Sequence, residues 1–427
     1  MTTRPDTHRS SASSPSARAG FTAVELMVAI TTSLIVCAGA YTLAKTSLEV
    51  FQQEARMNSA QFNNVMGMNR LSTDIKRAGF QTSPDADTDL QVCAPPTGAL
   101  AGLLKAVNVF EGADSGTYGS GDYLGLPSMV TGPENNRAPD RIRLAANYTT
   151  SDKYRLGPVD MTGNKISVQV DQLAVQRIFH DARLAGGNEF CSAFPAGGIA
   201  RLVDAANRTR FIEVASCATT DNTDATNYAS ITITAVNIPV GTGCGEATQG
   251  YINPVNVIDY VPVHLTNLNA TSQGLGTTIQ TLLTQESTNA GVTGDESRMM
   301  LVRRALGANG AILPNSTTIE ADYLVDLNFS ARYASDALQP NTHQFADFEA
   351  VGAIPENQVR SLGIRMTTRS RFADRAERGF TVVPNASQPL PRFEAFTSTA
   401  TNRMRFARVR TFFTEVAISN LQGVVPW

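Results

Sequence analysis

Charge is scarce in this sequence. Asp, Glu, Lys and Arg make up 17% of its 427 residues, 35 basic against 38 acidic, so Ser, Thr, Asn, Gln and Gly are expected to carry its surface. Without a basic excess there is no electrostatic footprint for nucleic acid, and none is expected as a partner. Histidine is equally thin. His8, His180, His264 and His343 are scattered, and the cysteines include no Cys-x-x-Cys pair, so neither a structural zinc site nor a cofactor is expected. No Gly-x-Ser-x-Gly elbow or Gly-x-x-x-x-Gly-Lys-Ser/Thr loop stands in a strand-to-helix setting. An enzyme is therefore not expected, and no catalytic residue is assigned. Asp85-Ala86-Asp87-Thr88-Asp89 begins like a calcium loop, but Leu90 replaces the turn glycine and Pro96 the bidentate glutamate, so it reads as a solvated turn. Long apolar runs are missing too, with one exception. The hydrophobic fraction of 42% excludes a wholly disordered chain, and a single long run excludes a multi-span membrane protein.

That run is Leu26 to Ala44, nineteen residues without a charge or a proline, closed by Lys45. Its length fits the roughly 20 residues needed to cross hydrocarbon. The polar leader before it, residues 1–20, carries Arg4, Arg9 and Arg18 against Asp6. Basic residues ahead of the run place the start of the chain in the cytoplasm and the bulk outside. A secretory signal would put its apolar core before an Ala-x-Ala cleavage site; here that order is inverted. Glu25 stands at the head of the run, where a carboxylate is costly in a bilayer and asks for a counter-charge.

The sequence Gly20-Phe21-Thr22-Ala23-Val24-Glu25-Leu26-Met27-Val28-Ala29-Ile30 resembles the processing motif of type IV prepilins and pseudopilins. The resemblance implies cleavage after Gly20 by a prepilin peptidase, N-methylation of Phe21, and a mature chain that starts at Phe21. Glu25 becomes its fifth residue, the carboxylate that in this family pairs with the amino terminus of a neighbouring subunit. Loss of the first 20 of the 427 residues leaves 407.

Beyond the span, Leu48, Phe51, Ala55, Phe62, Val65, Leu71, Ile75 and Ala78 recur at spacings near three, four or seven. They predict an amphipathic continuation of the anchor, one helix from Phe21 to Ala78 and about 87 Å long, stopping at Gly79 after Lys76 and Arg77. Gly67 and several Asn residues weaken its middle. The stripe has no strict heptad, so the second half should pack on its own head.

The exported head, residues 81–427, reads as mainly antiparallel β, and the whole as α+β: a long N-terminal helix packed on a β-rich head with long loops that could subdivide it. Residues 81–140 read as irregular. Strands are predicted at Arg141–Ala146, Lys165–Val170, Arg210–Val214, Ile231–Val236, Val257–Val261, Met299–Arg303, Tyr323–Phe329, Val359–Met366 and within Ala407–Ile418. No alternation with helices of 10 to 15 residues is expected. The polar intervals Asn267–Glu296 and 375–403 read as loops or surface insertions. Arg298, Arg303 and Arg304 form the clearest basic cluster, with a solvated strand face and a partner contact as its two readings.

Arg70 to Phe80, Asp140 to Leu144, Ser297 to Arg304 and Arg408 to Leu421 look like the corresponding parts of PilW-type minor pilins. What that implies is a low-abundance subunit that primes type IV pilus assembly near the tip. Its partners would be other minor pilins, the major pilin, a tip adhesin, the prepilin peptidase and the inner-membrane assembly machinery. The location would be the inner membrane with the head in the periplasm, then the pilus. A minor pseudopilin of a type II secretion system would share the anchor, and the long polar loops also suit a pilus-borne adhesin or binding module. Four of the five cysteines, Cys93, Cys191, Cys217 and Cys244, lie in the head, where an oxidising compartment allows two disulfides. Cys191 with Cys217 or Cys217 with Cys244 would close a moderate loop, and Cys93 needs a distant partner. Cys37 lies in the span.

Overall fold

The computed structural model describes residues 22–110, 137, 139–185, 189–223, 227–240, 244, 250–268, 274–288, 297–334, 343–347, 358–371, 392–395 and 406–421. The chain divides into two compact units, Met1–Ala55 and Arg56–Trp427. Helix α1, Ala23–Arg77, contributes to both.

In the first unit every described residue up to Val50 is exposed. The stretch Ala23–Gln52 is long and apolar enough to cross a membrane, containing 18 residues of mean hydropathy 1.9, none of them buried. Four threonines fit there because their hydroxyls turn back onto the helix. Thr31, Thr32, Thr42 and Thr46 donate to Met27, Val28, Gly39 and Thr42 carbonyls at 2.8 to 3.0 Å, so none needs water.

The second unit is α+β and built on a large, mostly antiparallel sheet. Its strands are β1 Val92–Ala94, β2 Val107–Phe110, β3 Arg141–Ala146, β4 Tyr154–Asp160, β5 Lys165–Val168, β6 Ile199–Val203, β7 Thr209–Asp221, β8 Tyr228–Ala235, β9 Tyr251–His264, β10 Met299–Leu306, β11 Thr318–Ala334, β12 His343–Asp347, β13 Val359–Arg369, β14 Arg392–Glu394 and β15 Phe406–Ala417. Its main path runs β1-β7-β8-β5-β4-β9-β10-β11-β13-β15-β14. The β1–β7 pair is parallel, and the other pairs are antiparallel. β9 is the hub, meeting β3, β4, β6 and β10 along its length. It runs well past the predicted Val257–Val261 because Pro254 and Pro262 do not end it. Pro254 faces Ala200 and Pro262 faces Leu301, each at a level where β9 has a described neighbour on one side alone, so no ladder donor is missed.

Helices cover the sheet where the sequence reading expected none. α2, Leu173–Ala185, and the single turn α3, Glu189–Ser192, lay Val175, Phe179 and Phe190, with Phe194 just beyond, on Tyr154, Ile212, Tyr228 and Ile233. In the polar interval 267–296, after the single turn α4, Leu265–Leu268, helix α5 spans Thr277–Thr288. Its threonines hide a short apolar edge, Leu275 and Leu283, buried with Leu265, Leu268, Val261 and Met300. The described part of residues 81–140 is likewise less irregular than expected, since β1 and β2 pair with β7 and β3.

Residues 60–77 of α1 lie on β9, β10, β11 and β13, and Met68, Leu71 and Ile75, with Ala78 just past the helix, join Ile142, Tyr260, Leu301, Leu324 and Met366 in the largest core cluster. Gly79 ends the helix in the left-handed conformation, φ 77°, its N–H donating to Ala145 O at 3.0 Å. Part of the expected stripe is misassigned. Phe62 and Val65 are 65% and 39% exposed, while Ala60, Asn64 and Gly67 are buried. The residues that weaken a free helix are those that dock this one. Asn64 donates from Nδ2 to Met366 O at 3.0 Å and Arg410 O at 3.1 Å. A Cβ at Gly67 would stand 2.8 Å from Ala321 Cβ and 3.1 Å from Glu320 O, so only glycine allows this approach.

Candidate functional site

Gly20 and Phe21, the expected processing bond, lie outside the described residues. Glu25 is the third residue of α1 and Thr22 its N-cap. The Thr22 hydroxyl and N–H each donate to Glu25 Oε2 at 3.0 Å, and Glu25 N–H donates to Thr22 Oγ1 at 3.2 Å. This reciprocal capping box satisfies two of the free donors at the helix start and places the negative charge against the positive end of the helix dipole. Both bonds to the carboxylate fall on one oxygen. Glu25 makes no ion pair among the described residues, so the geometry leaves the charge available to a cation.

The other end of α1 is held by buried charge. Asp74, 3% exposed, accepts from Tyr260 Oη and from Arg303 Nε, both at 2.7 Å on Oδ2, while its own carbonyl accepts from Tyr148 Oη at 2.9 Å. Burial beside this carboxylate pushes the Tyr260 and Tyr148 hydroxyls well above their ordinary range, so both stay protonated as donors. On the opposite face of β9, Asp259 is fully buried and takes both Arg141 Nε at 2.7 Å and Arg141 Nη2 at 2.5 Å. Arg304 adds two more, from Nη2 at 3.1 Å and Nε at 3.2 Å. Burial opposes ionisation there, but Arg141, Arg304 and Arg143 together hold the carboxyl below its ordinary value.

The basic cluster is therefore internal. Arg303 and Arg304 are neighbours in β10, so they point to opposite faces, one to Asp74 and the other to Asp259. Arg298 is shared by Asp322, at 2.8 and 2.6 Å, and by Glu286 of α5. None of the three forms a solvated strand face. The cysteines are joined as Cys191–Cys217, tying α3 to β7, and Cys93–Cys244, across 151 residues; Cys37 is free and exposed on α1. In the turn at residues 85–89, protein donors occupy the carboxylates: Asp85 takes Asp87 N–H and pairs with Lys105, Asp87 takes Gly102 N–H, and Asp89 takes Ser83 and Gln91.

Similarity to known proteins is slight. No family model matches the chain, and no curated protein does. Among solved structures it is similar to a type IV-like pilin from Thermus thermophilus, at 14% identity over 58% of this chain and 98% of that one. At a TM-score of 0.16 that likeness is too small to bear on the fold or on function.

Asp74, Tyr260, Asn64 and Gly67 are the residues sequence reading missed. For the three on α1 the signal was present in the spacing: Ala60, Asn64, Gly67, Leu71, Asp74 and Ala78 recur at three and four, a helical face rich in small and polar residues.

Proposed function

We propose that this chain is a membrane-anchored minor pilin that primes or supports type IV pilus assembly. The observation that carries the reading is the combination at the start of α1. An apolar stretch with none of its surface buried, Ala23–Gln52, opens on one carboxylate, Glu25, which has no ion-pair partner among the described residues. A charge at the head of an apolar helix is retained where it meets a counter-charge, and a neighbouring subunit's free amino terminus would supply one. Processing between Gly20 and Phe21 would create such an amine, one residue before the Thr22 cap. In this reading α1 holds the chain in the inner membrane and the sheet-bearing unit faces the periplasm. Other minor pilins, the major pilin and the prepilin peptidase are its partners.

Two measurements test it. Mass analysis of the protein recovered from membranes should show loss of residues 1–20 and one methyl on Phe21; an intact Met1 terminus in cells with active peptidase would reject the processing. Glu25→Ala should leave cleavage unchanged and reduce incorporation into pili. Incorporation equal to that of the wild type would reject the charge pairing.

A further inference from the structure

Among the described residues β15 is an edge strand along most of its length. Its register with β13 runs from Ser361↔Ala417 to Arg369↔Val409, and β14 covers the other side at Phe406, Ala407 and Arg408 alone. The bonds Ile418 N–H to Arg360 O and Ser370 N–H to Arg408 O show that even-numbered residues of this segment bond inward to β13. Odd-numbered residues therefore point outward. The backbone groups of Val409, Thr411, Phe413, Glu415 and Ala417 have no strand partner on that side among the described residues. Edges are usually blunted by proline, by a bulge, by shortness, by a covering helix or loop, or by charged side chains, lysine above all, and of these β15 carries the charges Arg408, Arg410 and Glu415. This one has twelve residues, no proline or lysine, and no break in its register with β13.

Side chains on the edge indicate what fits it. Phe413 is 63% exposed, covering Gly363 with its ring while keeping the rest of its face open. Arg410 is exposed and reaches Met57 Sδ at 3.2 Å, with no carboxylate partner among the described residues. A second copy cannot balance Arg410 by antiparallel pairing of the same edge. Pairing through outward groups sets odd residues against odd and even against even, so Arg410 would meet Phe412, Thr414 or Val416, never Glu415.

We infer that the outer edge of β15 takes up an extended segment of a different protein by strand addition, with a carboxylate across from Arg410 and an apolar side chain across from Phe413. Main-chain hydrogen bonds would supply affinity and the two side-chain positions selectivity. The inference does not depend on the pilin reading.

Hydrogen exchange on the full chain in neutral detergent tests it. The probes are two nine-residue peptides of alternating valine and threonine that begin on valine, one with glutamate and one with lysine as the eighth residue, which faces Arg410 when the peptide lies antiparallel along 409–417 and its fifth residue, valine, faces Phe413. Saturation with the glutamate peptide should slow about five amides within residues 409–417, one for each outward N–H. Its half-saturation should lie about fivefold below that of the lysine peptide, the ratio given by an exposed ion pair at its upper end. Arg410→Glu should reverse the preference. Phe413→Pro, which deletes an outward donor and no internal one, should abolish the slowing, and Phe413→Ala should retain it. Absence of slowing with the glutamate peptide, equal effects of both peptides, or slowing that survives Phe413→Pro would each overturn the inference. If Phe413→Pro fails to fold, the reversal by Arg410→Glu decides.

Discussion

Replacing Asp74 by alanine should weaken the attachment of α1 to the sheet about as much as truncating a buried leucine on the same face. The side chain is 3% exposed and gathers two donors at 2.7 Å, Tyr260 Oη and Arg303 Nε, so its removal leaves both without their acceptor. Breaking one partner of a buried ion pair costs about 3–5 kcal/mol, most of it from the charge left behind. Arg303 keeps some access to water, its side chain being 14% exposed, which places the expected loss nearer the lower end, about 3 kcal/mol. The bond from Tyr148 to the Asp74 carbonyl survives, because it uses backbone. Asp74→Asn keeps an acceptor and loses the charge, and should cost about half as much. The measurement is urea unfolding of the full chain in neutral detergent, followed by far-UV circular dichroism, with hydrogen exchange of residues 60–78 alongside. If the orphaned guanidinium is the cause, adding Arg303→Met to Asp74→Ala should recover about 1–2 kcal/mol, the signature of coupling in a double-mutant cycle. A loss below about 1 kcal/mol for Asp74→Ala, or strictly additive single changes, would refute the reasoning.

Other perturbations follow from the same contacts. Gly67→Ala gains about 1 kcal/mol of helix propensity, but its Cβ would meet Ala321 Cβ at 2.8 Å, so a net loss of about 1–2 kcal/mol is expected, and Ala321→Gly should restore part of it in thermal melts. Breaking Cys93–Cys244, which closes 151 residues, should cost more than breaking Cys191–Cys217, which closes 26, about 5 against 3.5 kcal/mol by loop entropy, as read from urea unfolding of the alanine pairs. Because the folded pKa of Asp259 lies below its unfolded value, its contribution is complete above about pH 4 and is lost as pH falls through the folded pKa. Asp259→Asn should therefore flatten the acid limb of the stability curve while lowering stability at pH 7, and an unchanged acid limb would reject the assignment.

Much of the helix was legible, and much of its docked face was not. The predicted helix of Phe21 to Ala78 and the observed Ala23–Arg77 differ little at either end, because the apolar run, the basic last turn and Gly79 are local signals. The face was misread because the search was for large apolar residues. This sheet takes α1 at close range, so small residues at 60 and 67 and polar ones at 64 and 74 form the contact, leaving Phe62 and Val65 outside. In β10 the same logic hid the charges. Consecutive arginines look solvated when one face of a strand is assumed open, but both faces are covered here and each has its own aspartate, 74 and 259, far away in sequence. Short strands such as β6 and β14 carried too little pattern to separate from turns, and α5 was masked by threonines that satisfy themselves along the helix, as Thr281 and Thr284 do.

The two stretches of α1 solve opposite problems with one backbone. A helix in hydrocarbon meets the same medium on every side, so the requirement is that no polar group stay unsatisfied, and the back-bonded threonines between Thr31 and Thr46 meet it without any preferred face. A helix on a sheet meets different groups on each side, so identity matters residue by residue. Substituting one apolar residue for another between Leu26 and Ala44 should leave head stability unaltered, whereas changes at Asn64, Gly67, Leu71 or Asp74 should not be tolerated in the same way. Glu25 departs from the first pattern, since it brings a full charge to an apolar stretch and holds it with a cap alone. A cap satisfies hydrogen bonds and leaves the net charge in place. In the proposed function a cation from another molecule completes the site, so loss of incorporation without loss of folding is the result expected there from Glu25→Ala.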